Sequence, residues 1–442
     1  MENLPCEILD KIFEYVPSTS LKPLLRTSNR IFNLISNSGK LMLKVEVKIS
    51  QLEDFTRKRR KIPGIEDGII RSLWTHISIP DEYIKMYCQL TQKLVLSNLT
   101  IHNFRRTLNL LDNLTVVIIK SGTSSTVDDV HIQLNQKLLD EVEIQYVHAP
   151  FFDANVQIKK LFINYLCLSP HSIQDSAINL ILDQTELKSL TMHHINLSLN
   201  GIQIFKDDIS EQIKFQLKHL DMSYYNPQKT MFGNIAMFLS AQKALESLIL
   251  LGPIDQEIWQ AIVKLPLLKK LQLSDKCFDT FSFPDRIVSN ENVKWLTLSG
   301  RFNNKTFECI LKHFPKTIQF TQKDEFRTNQ CHLTTLATCL PNLESMTVRM
   351  FENNERIFKN CEKVCFKKLK NLEIDAVFIL SHNWDNFAKT FPELKRLCFK
   401  QGVPVLRLNT FLLDSLLRGL IHLETLEVGP SFTNLVVLKM IR

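Results

Sequence analysis

A short apolar phrase recurs along most of this 442-residue chain and limits the folds that it can adopt. Each copy has an apolar residue, two variable residues, an apolar residue, one variable residue and a last apolar residue. Clear copies begin at Leu187, Leu217, Leu245, Leu268, Val293, Leu343, Leu369, Leu394 and Leu423. The first five are separated by 30, 28, 23 and 25 residues, close to the period of repeats that combine one strand with one returning helix.

Weaker copies and helix-ending signals extend the pattern. The weaker copies lie at residues 93–96, 111–116, 139–144 and 158–163, and a degenerate copy occupies 315–322. Amphipathic segments at 258–265 and 307–314 have the apolar spacing of helices that pack on the outside of the strands. Proline follows Leu265, Phe314, Leu340 and Phe391, and because it disfavours the helical conformation of its predecessor, it marks the end of each helix.

The repeated phrase also predicts how the units pack. One repeat cannot bury its apolar side chains alone, but a neighbour on each side can cover them. Each buried aliphatic side chain contributes about 1.5–3 kcal/mol, so three in every repeat outweigh surface charge effects. We therefore predict an α/β solenoid over residues 91–442, with parallel strands on the concave face and helices on the convex face. The apolar residues 435–438 predict either a last strand that packs back onto the sheet or a truncated array.

Three short helices are predicted in residues 1–43. In the first helix, one face carries Ile8, Leu9, Ile12, Phe13 and Val16. Pro5 is tolerated in its first turn, and Pro17 ends it. A second helix follows Ser20, and a third runs from Asn29 to Gly39. Below about forty residues a domain seldom folds alone, so this module needs a partner or the rest of the chain.

The first helix carries a recognisable motif. Its wording, Leu-Pro-x-Glu-Ile-Leu-x-x-Ile-Phe from Leu4 to Phe13, resembles the opening of an F-box, the three-helix module that docks a protein onto the Skp adaptor of a cullin–RING ubiquitin ligase. The resemblance implies a Skp-binding role for Leu4, Pro5, Ile8, Leu9, Ile12 and Phe13. The alternative is that these helices pack against the repeats as an N-terminal cap.

The F-box and the repeats together resemble F-box/leucine-rich-repeat proteins. The resemblance implies an F-box at 1–43, a connector with a basic run at 44–90, and a leucine-rich-repeat solenoid at 91–442. It also implies a substrate-recognition subunit of a Skp–cullin–F-box ubiquitin ligase, which holds a protein substrate for ubiquitination. The alternative function is a repeat scaffold unrelated to ubiquitin, with a helical cap at its N-terminus.

The candidate substrate site lies at variable positions of adjacent repeats. Lys269, Lys270 and Lys294 fall on neighbouring copies, and Trp295 is beside them. Aromatic and cationic residues at the centre of a binding face are typical of interaction hot spots, and an acidic or phosphorylated segment would suit them. The alternative is that these charges only solvate a repetitive sheet.

Other classes of function have little support in the sequence. No Gly-rich phosphate loop, nucleophile elbow or zinc-hydrolase motif is present, so we predict a non-enzyme with no catalytic, cofactor-binding or metal-binding residues. The net charge of +8 is too small by itself to indicate nucleic-acid binding, and glutamates among the repeats would repel phosphates. The basic run at 56–61 is either a nuclear-import signal or a solvated loop.

The predicted compartment follows from two further features. No run of about 18 apolar residues indicates a membrane span, and the acidic, amphipathic N-terminus is unlike a secretory signal. We therefore expect the cytosol, the nucleus or both.

Overall fold

A computed structural model describes the positions of part of the chain. The described residues are 46–48, 72–75, 92–97, 113–120, 131–132, 138–145, 151–152, 156–164, 181–196, 213–225, 229–278, 281, 283–284, 286–323, 330–350, 364–376, 384–399, 418–428 and 436–439. The predicted F-box at 1–43 and the basic run at 56–61 lie outside them. The chain divides into two compact units, Met1–Leu217 and Lys218–Arg442.

The first unit contains a parallel sheet whose strands pair in chain order. Its strands are β1 (Glu46–Lys48), β2 (Ser72–Thr75), β3 (Lys93–Ser97), β4 (Val116–Lys120), β5 (His131–Ile132), β6 (Leu138–Gln145), β7 (Phe151–Phe152), β8 (Gln157–Asn164) and β9 (Ser189–Asn196). Strands β5 and β7 pair separately, and the other seven form one parallel sheet. Because β1 and β2 belong to it, this sheet includes part of the segment that the sequence assigns to a connector.

The second unit alternates strands with helices. In order, it contains β10 (His219–Tyr225), α1 (Lys229–Ala241), β11 (Ser247–Leu250), α2 (Gln256–Val263), β12 (Lys270–Ser274), β13 (Trp295–Ser299), α3 (Asn304–His313), β14 (Gln319–Lys323), α4 (Gln330–Cys339), β15 (Ser345–Met350), β16 (Asn371–Ala376), α5 (Trp384–Thr390), β17 (Arg396–Phe399), β18 (Thr425–Val428) and β19 (Val436–Lys439). Each strand from β10 to β17 pairs in parallel with the next. The predicted α/β class and parallel strands are confirmed, and this order is compatible with a solenoid.

The strands follow directly from the repeated phrase. In β11, Leu248 and Leu250 are buried while Ser247 and Ile249 are half-buried, as expected where successive side chains point to opposite faces. The degenerate copy also forms a strand, β14. There Thr317 occupies the first apolar position, and its hydroxyl is satisfied by donating to the carbonyl of Phe314 at 2.8 Å.

The helices α2 and α3 begin at polar caps and bury one face. The Asp255 carboxylate accepts the backbone N–H of Ile258 at 2.9 Å, and the Asn303 side chain accepts that of Thr306 at 2.8 Å. Such caps satisfy backbone donors that the first turn leaves free. The two helices form over the amphipathic segments that the sequence predicts.

An aromatic cluster fills the core beneath α2. The Trp259 side chain is fully buried. Four phenylalanine rings meet it edge-on or tilted at centroid distances of 5.3–6.0 Å, namely Phe278, Phe281, Phe283 and Phe314. Edge-to-face pairs at such distances add to the hydrophobic gain of burial. The cluster therefore ties α2 to the segments that precede and follow β13.

The last described strand closes the sheet of the second unit. Strand β19 pairs antiparallel with β18, with Thr425 opposite Lys439 and Val428 opposite Val436. An exposed strand edge is a template for unwanted pairing, and β19 covers this edge of β18. Residues 436–439, which include most of the apolar segment at 435–438, therefore pair back onto the sheet.

Candidate protein-binding face

One face of the second unit's sheet carries side chains that solvent can reach. We call it the open face: it consists of the positions that alternate with the buried residues of β10–β18. Its residues with described side chains are His219, Asp221, Ser223, Ser247, Ile249, Lys270, Gln272, Ser274, Trp295, Thr297, Ser299, Gln319, Thr321, Lys323, Ser345, Thr347, Asn371, Glu373, Arg396, Cys398, Thr425 and Glu427. All are exposed or half-buried except Ser274, Ser299 and Cys398. The buried positions lie on the other side of the sheet, with the core residues of the helices.

The structure brings Lys270 and Trp295 together on the open face. They are register partners on the adjacent strands β12 and β13, and the Lys270 Nζ atom lies 5.3 Å from the centroid of the Trp295 ring. A lysine over an indole face at this distance makes a favourable cation–π contact. The pair therefore presents an ammonium group and an aromatic surface side by side.

Lys269 and Lys294 occupy a different place from Lys270 and Trp295. Each lies one residue before its strand, where its backbone carbonyl accepts the N–H groups of two successive residues in the next repeat. The Lys269 ammonium pairs with Glu246 at 2.8 Å, and the Lys294 ammonium donates to the carbonyl of Glu291 at 3.1 Å. Two of the four predicted site residues, Lys269 and Lys294, therefore make contacts at the N-terminal ends of the strands and do not belong to the open face.

The residues immediately before the strands form a row of opposite charges along the N-terminal ends of the strands, and we call it the edge row. Its ion pairs join Lys218 and Lys269 to Glu246, Lys370 to Glu344, and Lys395 to Glu424. The Lys269 ammonium holds the pKa of Glu246 below its usual value, chiefly by a hydrogen bond, and Glu424 likewise raises the pKa of Lys395. Because these side chains are solvated, each pair adds little to stability. The lysines that dominate this position in the sequence are therefore largely neutralised by neighbours.

A lysine that sequence reasoning missed also belongs to the open face. Lys323, the last residue of β14, donates to the Gln272 side chain on β12 across 3.1 Å. This contact crosses the intervening strand β13, on which Thr297 lies in register with Gln272 and Thr321. Lys323 follows the degenerate repeat, and only the register of β14 shows which face it shares with Lys270.

The far end of the open face carries two carboxylates, Glu373 and Glu427, and one guanidinium, Arg396. Arg396 makes a two-pronged ion pair with Glu427, at 2.9 Å from Nε and 2.7 Å from Nη2. This pair lowers the pKa of the Glu427 carboxyl and raises that of the guanidinium. Burial raises the pKa of the Cys398 thiol, which lies on the same strand as Arg396 and in register with Glu427, to about 11. A thiol with so high a pKa is a poor nucleophile at neutral pH.

The predicted Skp-binding residues lie outside the described part of the chain. They are Leu4, Pro5, Ile8, Leu9, Ile12 and Phe13. Within the described ranges, no group of three or more His, Cys, Asp or Glu residues is arranged to hold a metal ion. No helix in that same part of the chain is long and apolar enough to cross a membrane.

Two comparisons of the sequence found no relative. A scan against protein-family models matched no family, and a search of curated proteins found no similar sequence.

Proposed function

We propose that this protein is a substrate-recognition subunit of a Skp–cullin–F-box ubiquitin ligase, built from an F-box and a leucine-rich-repeat solenoid. The observation that carries the proposal is the motif from Leu4 to Phe13, which resembles an F-box, placed ahead of a repeated phrase. Each clear copy of that phrase within the described residues supplies one parallel strand. The open face gives such a protein a surface on which to hold a substrate.

In this role the chain would contribute binding and position. The N-terminal residues Leu4, Pro5, Ile8, Leu9, Ile12 and Phe13 would dock the Skp adaptor, and the open face would hold the substrate. Placing two reactants in one complex raises their effective concentration. The catalytic groups belong to the ligase partners, so this chain needs no active-site residue of its own.

Co-purification with a Skp adaptor tests the proposal. We expect a stoichiometric complex with the wild-type chain and its loss in the Ile8→Asp/Phe13→Asp variant, because charged side chains at these positions would oppose apolar docking. Size-exclusion chromatography measures the complex, and circular dichroism verifies that both chains are folded. A well-folded wild-type chain that forms no complex would leave a repeat scaffold unrelated to ubiquitin.

The control variant carries the same chemical change elsewhere. Leu267 and Ile287 are exposed apolar residues of the second unit, so Leu267→Asp/Ile287→Asp adds two carboxylates without opening the core. We expect this variant to bind the adaptor as the wild type does. If Ile8→Asp/Phe13→Asp instead unfolds the chain, the N-terminal helices act as a cap of the solenoid.

A further inference from the structure

We propose that the part of the open face over β12–β14 binds an anionic side chain of an extended protein segment, with Trp295 contacting the residue beside it. This inference rests on the proposed function, because it names the class of segment that the repeats hold. The binding groups are Lys270, Trp295, Thr297, Thr321 and Lys323. We call this set the basic patch.

The charge of the basic patch is not balanced locally. Among the described residues, no carboxylate lies within ion-pair distance of Lys270 or Lys323, whose contacts are the Trp295 ring and the Gln272 side chain. The nearest open-face carboxylates with described side chains are Asp221, two strands from Lys270, and Glu373, two strands from Lys323. They are in register with Gln272 and Thr321, the neighbours of the two lysines on their strands. At about 4.8 Å per strand that is about 10 Å, a distance at which salt screens the interaction between exposed charges. An incoming anion would therefore meet two uncompensated ammonium groups.

The basic patch also supplies hydrogen bonds and apolar contact. Thr297 and Thr321 are register partners on β13 and β14, so their hydroxyls lie between the two lysines. Trp295 is half-buried, which leaves part of its ring for a partner. Contact with Lys270 restrains the ammonium near the ring, and this lowers the entropy lost when an anion binds. Lysine with hydroxyl groups suits a carboxylate or a phosphate.

The opposite charge at the other end of the open face favours one extended segment as the occupant. Over β16–β18 the open-face positions with described side chains carry two carboxylates, Glu373 and Glu427, and one guanidinium, Arg396, which is paired with Glu427. Strands β13 and β17 are four steps apart, or about 19 Å at 4.8 Å per step. An extended chain covers this distance in about six residues. A segment with an anionic residue and, about six positions away, a basic residue would match both ends.

Peptide pools test the inference with the full chain. The probes are immobilised 14-residue peptides, degenerate except at one central position, which is aspartate, phosphothreonine, threonine or lysine. We expect at least tenfold greater retention on the aspartate or phosphothreonine pool than on the threonine and lysine pools. Retention on phosphothreonine alone identifies a phosphate site, and retention on both identifies a general anion site. No preference for the anionic pools in the folded wild type would overturn the inference.

Two matched variants assign the binding to the basic patch. Lys270→Glu/Lys323→Glu should abolish the preference for anionic pools, and Trp295→Ala should weaken retention. Lys305→Glu/Lys316→Glu changes the net charge equally at exposed positions outside the open face, and should retain the preference. Equal loss in both double variants would indicate a non-specific charge effect and contradict the inference, as would retention of an oligo-dT 20-mer without any retention of peptides.

The outcome is independent of adaptor binding. Failure of the wild-type chain to bind the Skp adaptor, with an intact preference for anionic pools, would reject the ligase role and keep the basic patch. A stoichiometric adaptor complex without a preference for anionic pools would support the ligase role and reject anion binding by the basic patch.

Discussion

The indole N–H of Trp259 donates a hydrogen bond to Nε2 of His313 across 3.4 Å, joining residues 54 positions apart in the chain. Because the indole nitrogen can only donate, Nε2 of His313 must accept. Its Nδ1 atom then carries the proton and donates to the Val288 carbonyl at 2.5 Å. The imidazole is thereby held neutral inside the aromatic core.

This arrangement predicts a loss of stability in acid. Burial lowers the pKa of His313 below its ordinary value, more than the hydrogen bond to Val288 raises it. Below pH about 6.5 His313 binds a proton more readily in the unfolded chain than in the folded one. The contribution of the neutral imidazole to the free energy of unfolding is therefore fully present above this pH and decreases below it. For one proton, the free energy of unfolding changes by at most about 1.4 kcal/mol per pH unit.

Thermal unfolding between pH 7.5 and pH 5.0 measures the effect. We expect the Tm of the wild type to fall more steeply with pH than that of His313→Gln, whose side chain does not titrate. Other titrating groups contribute equally to both proteins. Parallel curves would show that His313 does not couple folding to protonation.

Gly300 is required by its backbone and its surroundings. Its φ is +99°, a conformation that other residues rarely adopt, and an added Cβ would lie 2.1 Å from Cγ of Asp275. That carboxylate also accepts the backbone N–H of Arg301 at 2.7 Å, so it cannot move without losing a bond. Gly300→Ala should cost about 2 kcal/mol or more, measured by thermal or urea unfolding.

A second glycine provides the control. Gly233 lies within α1, and an added Cβ there would meet only the Glu257 side chain, at 3.1 Å. Because alanine favours helix more than glycine, Gly233→Ala should leave stability unchanged or raise it by up to about 1 kcal/mol. Equal losses at both glycines would contradict the role assigned to Gly300.

Asn290 bridges two successive repeats from a buried position. Its side chain donates to the Leu265 carbonyl at 2.9 Å and accepts the N–H of Asn292 at 2.9 Å. Asn290→Ala leaves these groups without that partner and should cost about 1–3 kcal/mol. Asn292→Ala removes an exposed contact to Pro266 and should change stability by less than about 0.5 kcal/mol. Urea unfolding of the two variants compares them, and similar losses would contradict the prediction.

The ion pair between Arg396 and Glu427 should contribute more to stability than the neighbouring pair between Lys395 and Glu424 in the edge row. It is two-pronged, and the Glu427 side chain is only 19% exposed. Glu427→Gln should cost about 0.5–1 kcal/mol, whereas Glu424→Gln should have no measurable effect. Since the pair lowers the pKa of Glu427, its contribution is present above pH about 4.3 and is lost as the pH falls below that value. Unfolding at pH 7 and pH 3 tests this, and a cost that persists in acid would contradict it.

The repeated phrase predicted the strands of the second unit because burial in a strand has a period of two. Leu248 and Leu250 are buried in β11 as that period requires, and Leu265, followed by Pro266, comes just after the end of α2. The phrase did not separate Lys269 from Lys270. Both occupy variable positions, but one precedes the strand and pairs with Glu246 while the other lies over Trp295. That difference depends on where the backbone becomes extended.

The amino-acid sequence by itself determined the class of fold, the order of the strands and the residues that they bury, since these depend on local spacing. Only the tertiary structure decided which distant side chains meet. Three such contacts join different repeats: that of Trp259 with His313, that of the Asp275 carboxylate with the backbone at Gly300 and Arg301, and that of Lys323 with Gln272, which places Lys323 on the same face as Lys270. Their geometry depends on the register of neighbouring strands and the paths of the connecting segments, which no short stretch of sequence specifies.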